Sequence, residues 1–435
     1  MDYDLAVIGS GWAGFNAALE AKAGGLKVVL IEKEQIGGTC LNRGCIPTKT
    51  LLQSAKVYSL IKKSRIFGVE TTPPQANFPE IKLRKNKIIQ QLQKGMEFML
   101  GGIDFINAEA KILSANTLEI NKNRINTNFM LIATGSKPLE LKGFKFDGKR
   151  IVSSNEMLDL EEIPKSLLII GGGVIGCEFA SLFAALGSQV SIAELTPQLL
   201  PGVDKEIAKK LETIFKKKNI KVNTNTDAAT LDLAAYNLIL VCIGRAPVTE
   251  GLGLDELGIK TQNGRIIVDE YMRTNIPNIY AAGDCASKIC LAHFAQYQGC
   301  IAAENIVDAQ HLRKLNTFGI PSCIFTDPEI GTVGFTEEEA KANNIDFAVN
   351  KFDFMGSGMA RVIEETEGFI KIISDKKTDK ALGASIIGPR ATELIGILTL
   401  AIQSGIKASN IRDTVFAHPT LSEGITSALK QGHGI

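Results

Sequence analysis

Residues 5–14 decide the fold, and they read Leu-Ala-Val-Ile-Gly-Ser-Gly-Trp-Ala-Gly. The four leading apolar residues are typical of a parallel strand that is covered on both faces. Three glycines follow in the spacing G-x-G-x-x-G: Gly9, Gly11 and Gly14. A helical pattern over 15–23, an apolar strand over 27–31 and the acid Glu32 complete the segment. This order predicts a Rossmann-type βαβ unit whose helix N-terminus binds the pyrophosphate of a dinucleotide.

The same unit recurs in the middle of the chain. A strand over 166–170 precedes a helix over 177–186, a strand over 189–193 and the acid Glu194. Residues 171–176 between the first strand and the helix read Gly-Gly-Gly-Val-Ile-Gly, in which Gly171, Gly173 and Gly176 have the G-x-G-x-x-G spacing. Because the whole unit occurs twice, we expect the chain to bind two dinucleotides.

Glu194 also indicates which nucleotide the second unit binds. A carboxylate at the end of this strand accepts hydrogen bonds from the ribose hydroxyls of NAD and repels the extra phosphate of NADP. The following residues Thr196, Pro197 and Gln198 offer no cation to that phosphate. The sequence therefore predicts NAD.

Two cysteines stand five positions apart just after the first unit. Residues 37–49 read Gly-Gly-Thr-Cys-Leu-Asn-Arg-Gly-Cys-Ile-Pro-Thr-Lys and contain Cys40 and Cys45. Such a pair can open and close a small disulfide by thiolate attack. Two buried thiols or half a metal site are the alternatives, but metal pairs are usually closer and come with a second pair. Cys285 and Cys290 repeat the spacing, and we expect both to be small buried residues.

Composition excludes several classes of function. The 435 residues contain 48 Lys and Arg against 47 Asp and Glu, which predicts no nucleic-acid or membrane surface. The start of the chain lacks a basic region and an apolar signal core, and the apolar runs are too short to span a bilayer. The eight cysteines are scattered and do not form a secreted disulfide framework. We therefore expect a cytoplasmic protein.

The motif in residues 37–49 closely resembles the active-site disulfide of the FAD-dependent pyridine nucleotide–disulfide oxidoreductases. Within that family, its wording looks most like that of the dihydrolipoyl dehydrogenases. The resemblance covers nearly the whole chain. It implies FAD in the first unit, NAD in the second, and oxidation of dihydrolipoamide on a lipoyl-bearing protein of a 2-oxoacid dehydrogenase or glycine-cleavage system. It also implies a homodimer.

The resemblance and the two glycine motifs together predict an α/β fold. Two Rossmann-like dinucleotide-binding domains, for FAD and for NAD, precede a C-terminal α+β dimerisation domain. We expect an FAD-binding domain over 1–147 and 273–316, an NAD-binding domain over 148–272, and an interface domain over 317–435. The first domain is interrupted because strand-like runs at 129–132 and 278–281 both look like flavin-domain motifs. The apolar helix at 392–403 supplies either interface area or a plain core element.

The resemblance also implies which residues contact the cofactors. The predicted FAD contacts are Gly9, Gly11, Gly14, Glu32, Thr39, Lys49, Ala110, Thr134, Gly135, Ser136, Asp284, Leu291, Ala292 and His293. The predicted NAD contacts are Gly171, Gly173, Val174, Ile175, Gly176, Glu178, Glu194 and Gly244. Asp284 would hold the ribityl chain, and His293 would position or pack and would not be catalytic. No metal site is expected.

The chemistry needs a base as well as a disulfide, because a dithiol must lose protons before it attacks. Alone, His418-Pro419 in a loop would be a turn, but the resemblance makes His418 the base and Glu423 the acid that orients it. In the family this histidine serves the disulfide of the other subunit.

The resemblance also assigns roles around the disulfide. Lys49 and Glu178 match a pair beside the reactive flavin nitrogen; the alternative is two exposed helix charges. A substrate thiolate would attack the sulfur of Cys40, the interchange thiol, and Cys45 would pass electrons to FAD.

Several relatives of similar chemistry fit less well. Mercuric reductase and large thioredoxin reductases need a C-terminal cysteine pair, whereas residues 432–435 read Gly-His-Gly-Ile. Glutathione reductase prefers NADPH, which Glu194 opposes, and keeps an aromatic gate where this chain has Val174. A related FAD-dependent reductase that uses NAD(P)H on another small or protein disulfide is the alternative, and a non-enzymatic flavoprotein is a further one. Trp12 and Val248 depart from the family pattern.

Overall fold

The computed structural model describes residues 1–431 of the chain. The tail 432–435, on which the comparison with mercuric and thioredoxin reductases depends, lies outside the described residues. No helix in the described part of the chain combines the length and the apolar character that a bilayer span requires.

The strands are numbered in chain order. They are β1 (Tyr3–Ile8), β2 (Val28–Glu32), β3 (Asp104–Asn107), β4 (Ala110–Ser114), β5 (Thr117–Ile120), β6 (Asn123–Ile132), β7 (Ser136–Pro138), β8 (Ile151–Val152), β9 (Ser166–Ile170), β10 (Gln189–Ala193), β11 (Lys221–Asn223), β12 (Leu238–Val241), β13 (Arg245–Pro247), β14 (Thr261–Gln262), β15 (Arg265–Ile266), β16 (Ile279–Ala281), β17 (Ser322–Ile324), β18 (Glu329–Gly334), β19 (Phe347–Asp353), β20 (Phe369–Asp375) and β21 (Ala381–Gly388).

The helices are numbered in the same way. They are α1 (Trp12–Ala23), α2 (Gly38–Arg43), α3 (Cys45–Lys62), α4 (Phe78–Met99), α5 (Ser154–Met157), α6 (Val174–Ala185), α7 (Lys205–Lys217), α8 (Ala292–Val307), α9 (Glu337–Ala342), α10 (Gly358–Val362), α11 (Ala391–Gln403), α12 (Ala408–Asp413) and α13 (Glu423–Gln431). Short 3-10 helices span Ser64–Phe67, Ala228–Thr230, Leu233–Ala235 and Phe354–Gly356.

The first sheet has the order β3-β2-β1-β6-β5-β4. In addition, β16 pairs with the end of β6, on the side opposite β1. The strands β3, β2, β1, β6 and β16 run parallel, and β4 and β5 form an antiparallel extension. The central strand β1 is apolar throughout its second half because helices and the rest of the domain cover both of its faces. Ile279 pairs with Met130, so the chain returns to complete this sheet after the second unit, as predicted.

The second sheet is parallel and has the order β11-β10-β9-β12-β8. Its glycine motif joins β9 to α6, whose residues from Gly176 to Phe183 are all buried. A helix that is apolar on nearly all sides belongs in a core. The predicted fold of two dinucleotide-binding units is therefore confirmed.

The third sheet is antiparallel, with the order β17-β18-β21-β20-β19, and α11 and α13 pack on it. The inner face of α11 is buried at Leu394, Leu398 and Ile402. Its outer face exposes Ile397 and Leu400, the latter to 67%. The two interpretations of this helix are thus compatible, since one face packs in the core and the other offers apolar area.

One predicted boundary differs from the structure. Residues 252–268, which we assigned to the NAD-binding domain 148–272, pack in the core of the first sheet. Leu252 and Ile259 share a cluster with Ile132, and the Ile112 N–H donates to Leu252 O at 2.9 Å. The chain leaves the second sheet soon after β12 because β13 pairs with β7 and leads it back. We therefore place the end of the second unit near residue 244.

Candidate active site

A tight connection between two helices holds the two predicted redox cysteines. Cys40 lies within α2, and Cys45 is the first residue of α3. Gly44 joins the helices so closely that a Cβ there would lie 3.0 Å from Thr39 O and 3.3 Å from Cys40 Cα. No side chain caps the start of α3, so the free N–H groups of that helix end favour negative charge on the Cys45 sulfur.

The two cysteines are free thiols that interact with each other. The hydrogen bond that Cys40 donates lowers the pKa of Cys45 to about 7, and the positive charge of Lys49 acts in the same direction. The same bond, together with burial, raises the pKa of Cys40 well above its ordinary value. In this reduced pair Cys45 is the sulfur that ionises near neutral pH, and Cys40 stays protonated.

Lys49 and Glu178 form a bidentate ion pair beside the cysteines. Lys49 Nζ lies 2.8 Å from both carboxylate oxygens of Glu178, whose side chain is 4% exposed. The Phe325 N–H donates to the same carboxylate at 2.9 Å, and Lys49 Nζ stands 4.7 Å from the centre of the Phe325 ring. The alternative of two exposed charges is wrong, because the two side chains bind each other and both contact Phe325.

The two glycine motifs have the same local geometry. Gly9 and Gly171 adopt φ values of 105° and 110°, which favour glycine, and a Cβ on Gly171 would lie 2.6 Å from Cys242 O. The third glycine of each motif, Gly14 or Gly176, packs so closely on its loop that a Cβ would overlap the carbonyl oxygen of the first glycine, Gly9 or Gly171. These residues shape the loops and lie behind them.

The middle glycine of each motif faces open space. No atom lies within 4 Å of a Cβ built on Gly11 or on Gly173, and no side chain caps the helices that follow them. The first N–H groups of α1 and α6 are therefore available to an anionic ligand. This geometry fits the pyrophosphate groups of FAD and NAD.

The predicted ribose-binding acids also hold their loops. Glu32 accepts hydrogen bonds from the Ser10 N–H and Oγ at 2.8 Å. Glu194 accepts from the Gly172 N–H at 2.6 Å and from the Thr196 N–H at 2.7 Å. Each carboxylate thus fixes the conformation of the loop beside which a ribose would lie. Their contacts with ribose hydroxyls stay predictions.

A single cavity of about 1710 Å³ joins both loops to the cysteines. Small-molecule sites usually measure roughly 300–1,000 Å³, so this space is large enough for two dinucleotides. The predicted site residues that line it are Gly11, Thr39, Cys40, Cys45, Lys49, Gly135, Ser136, Gly171, Gly173, Val174, Ile175, Glu178, Glu194, Gly244, Asp284, Leu291, Ala292 and His293.

Other predicted residues lie away from this cavity. Thr134 donates through its hydroxyl to Val248 O, which links the two segments behind the cavity wall. Ala110 is 4% exposed and packs with Leu118 in the core of the first domain. Its position at the buried start of β4 does not support the predicted FAD contact through its side chain.

The sequence analysis missed one polar group of the cavity, Arg245. Its Nε donates to Ser136 Oγ at 2.7 Å and a terminal nitrogen donates to Ser136 O at 2.6 Å, while Ser136 Oγ donates to Asp284. Arg245 and Ser136 each follow a glycine with positive φ, Gly244 and Gly135. In the sequence, both residues directly follow a glycine at the end of an apolar strand, and this shared position could have identified Arg245.

Cys290 was expected to be buried, and this is wrong. Cys285 is fully buried, but Cys290 lies partly exposed on the cavity wall, where burial of its thiol raises its pKa to about 11. His293 has the positioning contact that was expected of it, since its Nε2 lies 2.8 Å from Pro321 O.

His418 and Glu423 form the predicted dyad. His418 Nδ1 lies 2.9 Å from one Glu423 oxygen, and the Thr420 N–H donates to the other at 2.8 Å. The pKa of Glu423 is lowered mainly by the hydrogen bond from the Thr420 N–H, and also by the hydrogen bond with His418. The dyad is not part of the cavity wall formed by residues 1–431 of the same chain, and the His418 side chain is 80% exposed.

A dithiol placed between two dinucleotide-binding loops defines a class of enzymes that move electrons between thiols and nucleotides. The family described as pyridine nucleotide-disulphide oxidoreductase matches residues 3–299, and the dimerisation domain of that family matches residues 320–429. The chain therefore belongs to the pyridine nucleotide–disulphide oxidoreductase family, which confirms the resemblance seen in residues 37–49. Membership also confirms FAD and NAD as the cofactors.

Similar curated proteins carry a more particular name. A dihydrolipoyl dehydrogenase of Bacillus subtilis is 37% identical over 100% of this chain and 98% of its own length. A dihydrolipoyl dehydrogenase of Chlamydia pneumoniae is 40% identical over 97% of this chain and 95% of its own.

Solved structures share the architecture. The HOCl-induced flavoprotein disulfide reductase RclA from Escherichia coli superposes with a TM-score of 0.88 at 30% identity, covering 98% of this chain and 99% of its own. LpdA from Mycobacterium tuberculosis superposes with a TM-score of 0.91 at 26% identity, with the same coverage.

Proposed function

We propose that the protein oxidises dihydrolipoamide on a lipoyl-bearing protein and reduces NAD to NADH, and that it works as a homodimer. The observation that carries this proposal is the Cys40–Cys45 dithiol, with an ionised Cys45 beside Lys49, in a cavity that both glycine loops share. Full-length similarity to proteins named dihydrolipoyl dehydrogenase supports the choice of substrate.

The two cysteines have different tasks in this proposal. A substrate thiolate attacks Cys40 Sγ in the oxidised enzyme, the bond between Cys40 and Cys45 breaks, and Cys45 leaves as a thiolate. The lowered pKa of Cys45 suits a leaving group. The second substrate thiolate then closes the lipoyl ring and releases Cys40. FAD, bound at the first glycine loop, supplies the conversion of thiolate electrons to a hydride for NAD.

His418 is the proposed base for the substrate thiols. Its Nδ1 bond to Glu423 leaves Nε2 free to take a proton and stabilises the imidazolium that results. The dyad is exposed and separate from the cysteines of its own chain, which supports a site completed by the partner subunit. The match to the dimerisation domain supports the homodimer.

The proposed nucleotide is NAD because Glu194 lines the part of the cavity beside the second glycine loop. The carboxylate is 6% exposed and accepts hydrogen bonds from the loop N–H groups of Gly172 and Thr196. We place the activity in the cytoplasm, which the scattered positions of the eight cysteines support, because they do not form a secreted disulfide framework. The lipoyl group would belong to a 2-oxoacid dehydrogenase complex or to a glycine-cleavage carrier.

A steady-state comparison tests the proposal. The purified protein is assayed with NAD and dihydrolipoamide, and in parallel with NADPH and glutathione disulfide. We expect kcat/KM for the first pair to exceed that for the second by at least about a hundredfold. Active sites that bind a substrate through polar groups typically discriminate against poor substrates by this much or more.

A second measurement separates the alternatives. If NADH reduces the enzyme and a thiolate–flavin absorbance appears, but dihydrolipoamide is not oxidised, the disulfide chemistry stands and the substrate is another disulfide. If NADH does not reduce the enzyme at all, the enzymatic interpretation fails.

A further inference from the structure

Trp12 is the residue of the first glycine motif that the nucleotide-binding pattern does not explain. It is the first residue of α1 and the one tryptophan among the 435 residues. Its Nε1 atom is buried and makes no conventional hydrogen bond with any residue that the structure describes. Buried N–H groups are almost always paired, because an unpaired donor has lost its bond to water.

The backbone brings this indole next to the first cysteine. A Cβ on Gly38 would lie 2.7 Å from Gly11 Cα, so the start of α2 packs directly on the start of α1. Trp12 comes one residue after Gly11, and Cys40 comes two residues after Gly38. Both residues line the same cavity. The indole N–H favours the ionised form of Cys40 and opposes the rise in its pKa that Cys45 and burial cause.

We propose that the Trp12 indole N–H is a preorganised hydrogen-bond donor for the thiolate of Cys40. In the reduced pair Cys40 is a thiol, and a thiol sulfur is a weak acceptor. A thiolate is a much stronger one. The N–H therefore has no good partner while Cys40 is protonated and gains one when Cys40 ionises. A donor fixed where negative charge develops stabilises that charge without rearrangement.

Cys40 carries this charge when its mixed disulfide with the substrate is resolved. The second substrate thiolate attacks the substrate sulfur, the bond from that sulfur to Cys40 Sγ breaks, and Cys40 leaves with the electron pair before it takes a proton. The substrate dithiol has then lost the two electrons that the enzyme disulfide has gained. Since a thiol of lower pKa leaves faster, the N–H accelerates this step.

The inference rests on the proposed redox role of the cysteines but not on dihydrolipoamide as their substrate. The titratable groups that act on Cys40 are Cys45 and Lys49 of α3, and Glu178 acts through both of them. FAD is the competing partner for the indole, because Trp12 also borders the space in front of the first glycine loop. The experiment must therefore separate a bond to sulfur from a bond to the cofactor.

Alkylation of the reduced holoenzyme makes this separation. The enzyme is reduced anaerobically with NADH, and the rate at which iodoacetamide alkylates Cys40 is followed by mass spectrometry as a function of pH. In Trp12→Phe we expect the alkylation profile of Cys40 to move up by about one pH unit, so that the thiolate fraction near neutral pH falls about tenfold. The rates of alkylation and of lipoamide reduction should both fall about threefold there, because a more basic thiolate is also a stronger nucleophile.

A closer isostere keeps the test valid if the phenylalanine variant folds poorly. Because the chain contains one tryptophan, global incorporation of 3-benzothienylalanine replaces only the N–H of position 12 with sulfur. The same upward shift in this protein supports the proposal. Superimposable profiles overturn it, and so does a loss of FAD affinity in titrations of the apoprotein with unchanged profiles, which assigns the N–H to the cofactor. Failure of the wild-type protein to oxidise dihydrolipoamide contradicts the proposed function and leaves the alkylation test interpretable.

Discussion

At the scale of single residues, Cys40 and Cys45 show how position alone separates two identical thiols. Cys45 begins a helix without a side-chain cap and accepts a hydrogen bond, whereas Cys40 donates that bond from within the preceding helix. Lys49 adds a positive charge near Cys45. The sequence predicted the two roles by resemblance, and the structure supplies the physical cause of the difference.

Substituting each cysteine in turn tests this asymmetry. In Cys40→Ser we expect a long-wavelength absorbance from the Cys45 thiolate against bound flavin, because the serine hydroxyl can still donate to the sulfur. The pKa of Cys45 is lowered to about 7, so the band should be present above that pH and vanish as the pH falls through it. An absorbance titration of the oxidised-flavin enzyme gives the midpoint.

Cys45→Ser is the matched control, and it should show no such band between pH 5 and pH 9. Both variants should lose lipoamide turnover. A band in Cys45→Ser and none in Cys40→Ser would reverse the assignment of the two roles.

At the scale of elements, the two glycine motifs show how far local pattern can be trusted. The strands β1 and β9 were predicted within two residues, because a glycine motif directly follows each apolar run and marks its end. Both following helices begin three residues earlier than predicted, at Trp12 and Val174. The first turn of each helix lies inside the glycine motif, where glycine and small residues hide the helical period from sequence analysis.

Glu194 at the end of β10 carries the prediction of nucleotide preference. The wild-type enzyme should prefer NAD to NADP by roughly a hundredfold in kcat/KM, a few kcal/mol of repulsion and lost ribose bonds. In Glu194→Gln the amide oxygen can accept from only one of the two N–H groups that the carboxylate binds, those of Gly172 and Thr196, so the loop keeps part of its support while the charge repulsion disappears. We expect the preference to fall about tenfold in steady-state assays with both nucleotides.

Glu32→Gln is the control for this prediction, because Glu32 holds the first loop with the same kind of bond. It should leave the ratio of NAD to NADP unchanged. A wild-type enzyme with equal kcat/KM for both nucleotides would show that Glu194 does not set specificity.

At the scale of the whole molecule, the features that the sequence did not predict are contacts between distant segments. Arg245 meets Ser136 across 109 positions, and residues 252–268 return to the first sheet. Local periodicity contains no information about such contacts. The predicted meeting of Lys49 with Glu178 succeeded because a family resemblance supplied the long-range information that the pattern lacked.

A buried ion pair between residues far apart in the sequence links the second dinucleotide-binding unit to the third sheet. Lys371 of β20 and Asp204 at the start of α7 are each 2% exposed, and their charged atoms lie 2.9 Å apart. Glu206 and Glu337 also contact Lys371. We expect Lys371→Met to reduce the free energy of unfolding by about 3–5 kcal/mol, because Asp204 would remain buried without its partner. Urea unfolding followed by circular dichroism gives the value.

The exposed pair of Lys376 with Asp346 provides the comparison, and Lys376→Met should cost less than about 1 kcal/mol. Adding Asp204→Asn to Lys371→Met should recover part of the loss, since it removes the unpaired charge and keeps an N-cap oxygen. Equal stability of the two single variants would show that the buried pair does not hold the domains together.

The His418–Glu423 dyad gives the prediction that depends on the whole assembly. His418→Gln should slow reduction of the enzyme by dihydrolipoamide about a hundredfold or more, the usual scale of general base catalysis. Reduction by NADH should change much less, because hydride transfer needs no thiol deprotonation. Glu423→Gln should show a weaker form of the same asymmetry, since this side chain orients the ring. Stopped-flow traces of the two half-reactions measure each effect separately.

The proposed homodimer predicts that His418 of one subunit serves the cysteines of the other. Inactive dimers of His418→Gln and of Cys40→Ser, mixed under conditions of subunit exchange, should therefore regain activity. Each mixed dimer would contain one intact site, built from the cysteines of the His418→Gln chain and the histidine of the Cys40→Ser chain. Native mass spectrometry of the mixture reports exchange independently of activity. If mixed dimers form and no activity returns, the base must act on the cysteines of its own chain, and the 80% exposure of His418 then requires a rearrangement that brings α13 to the cavity.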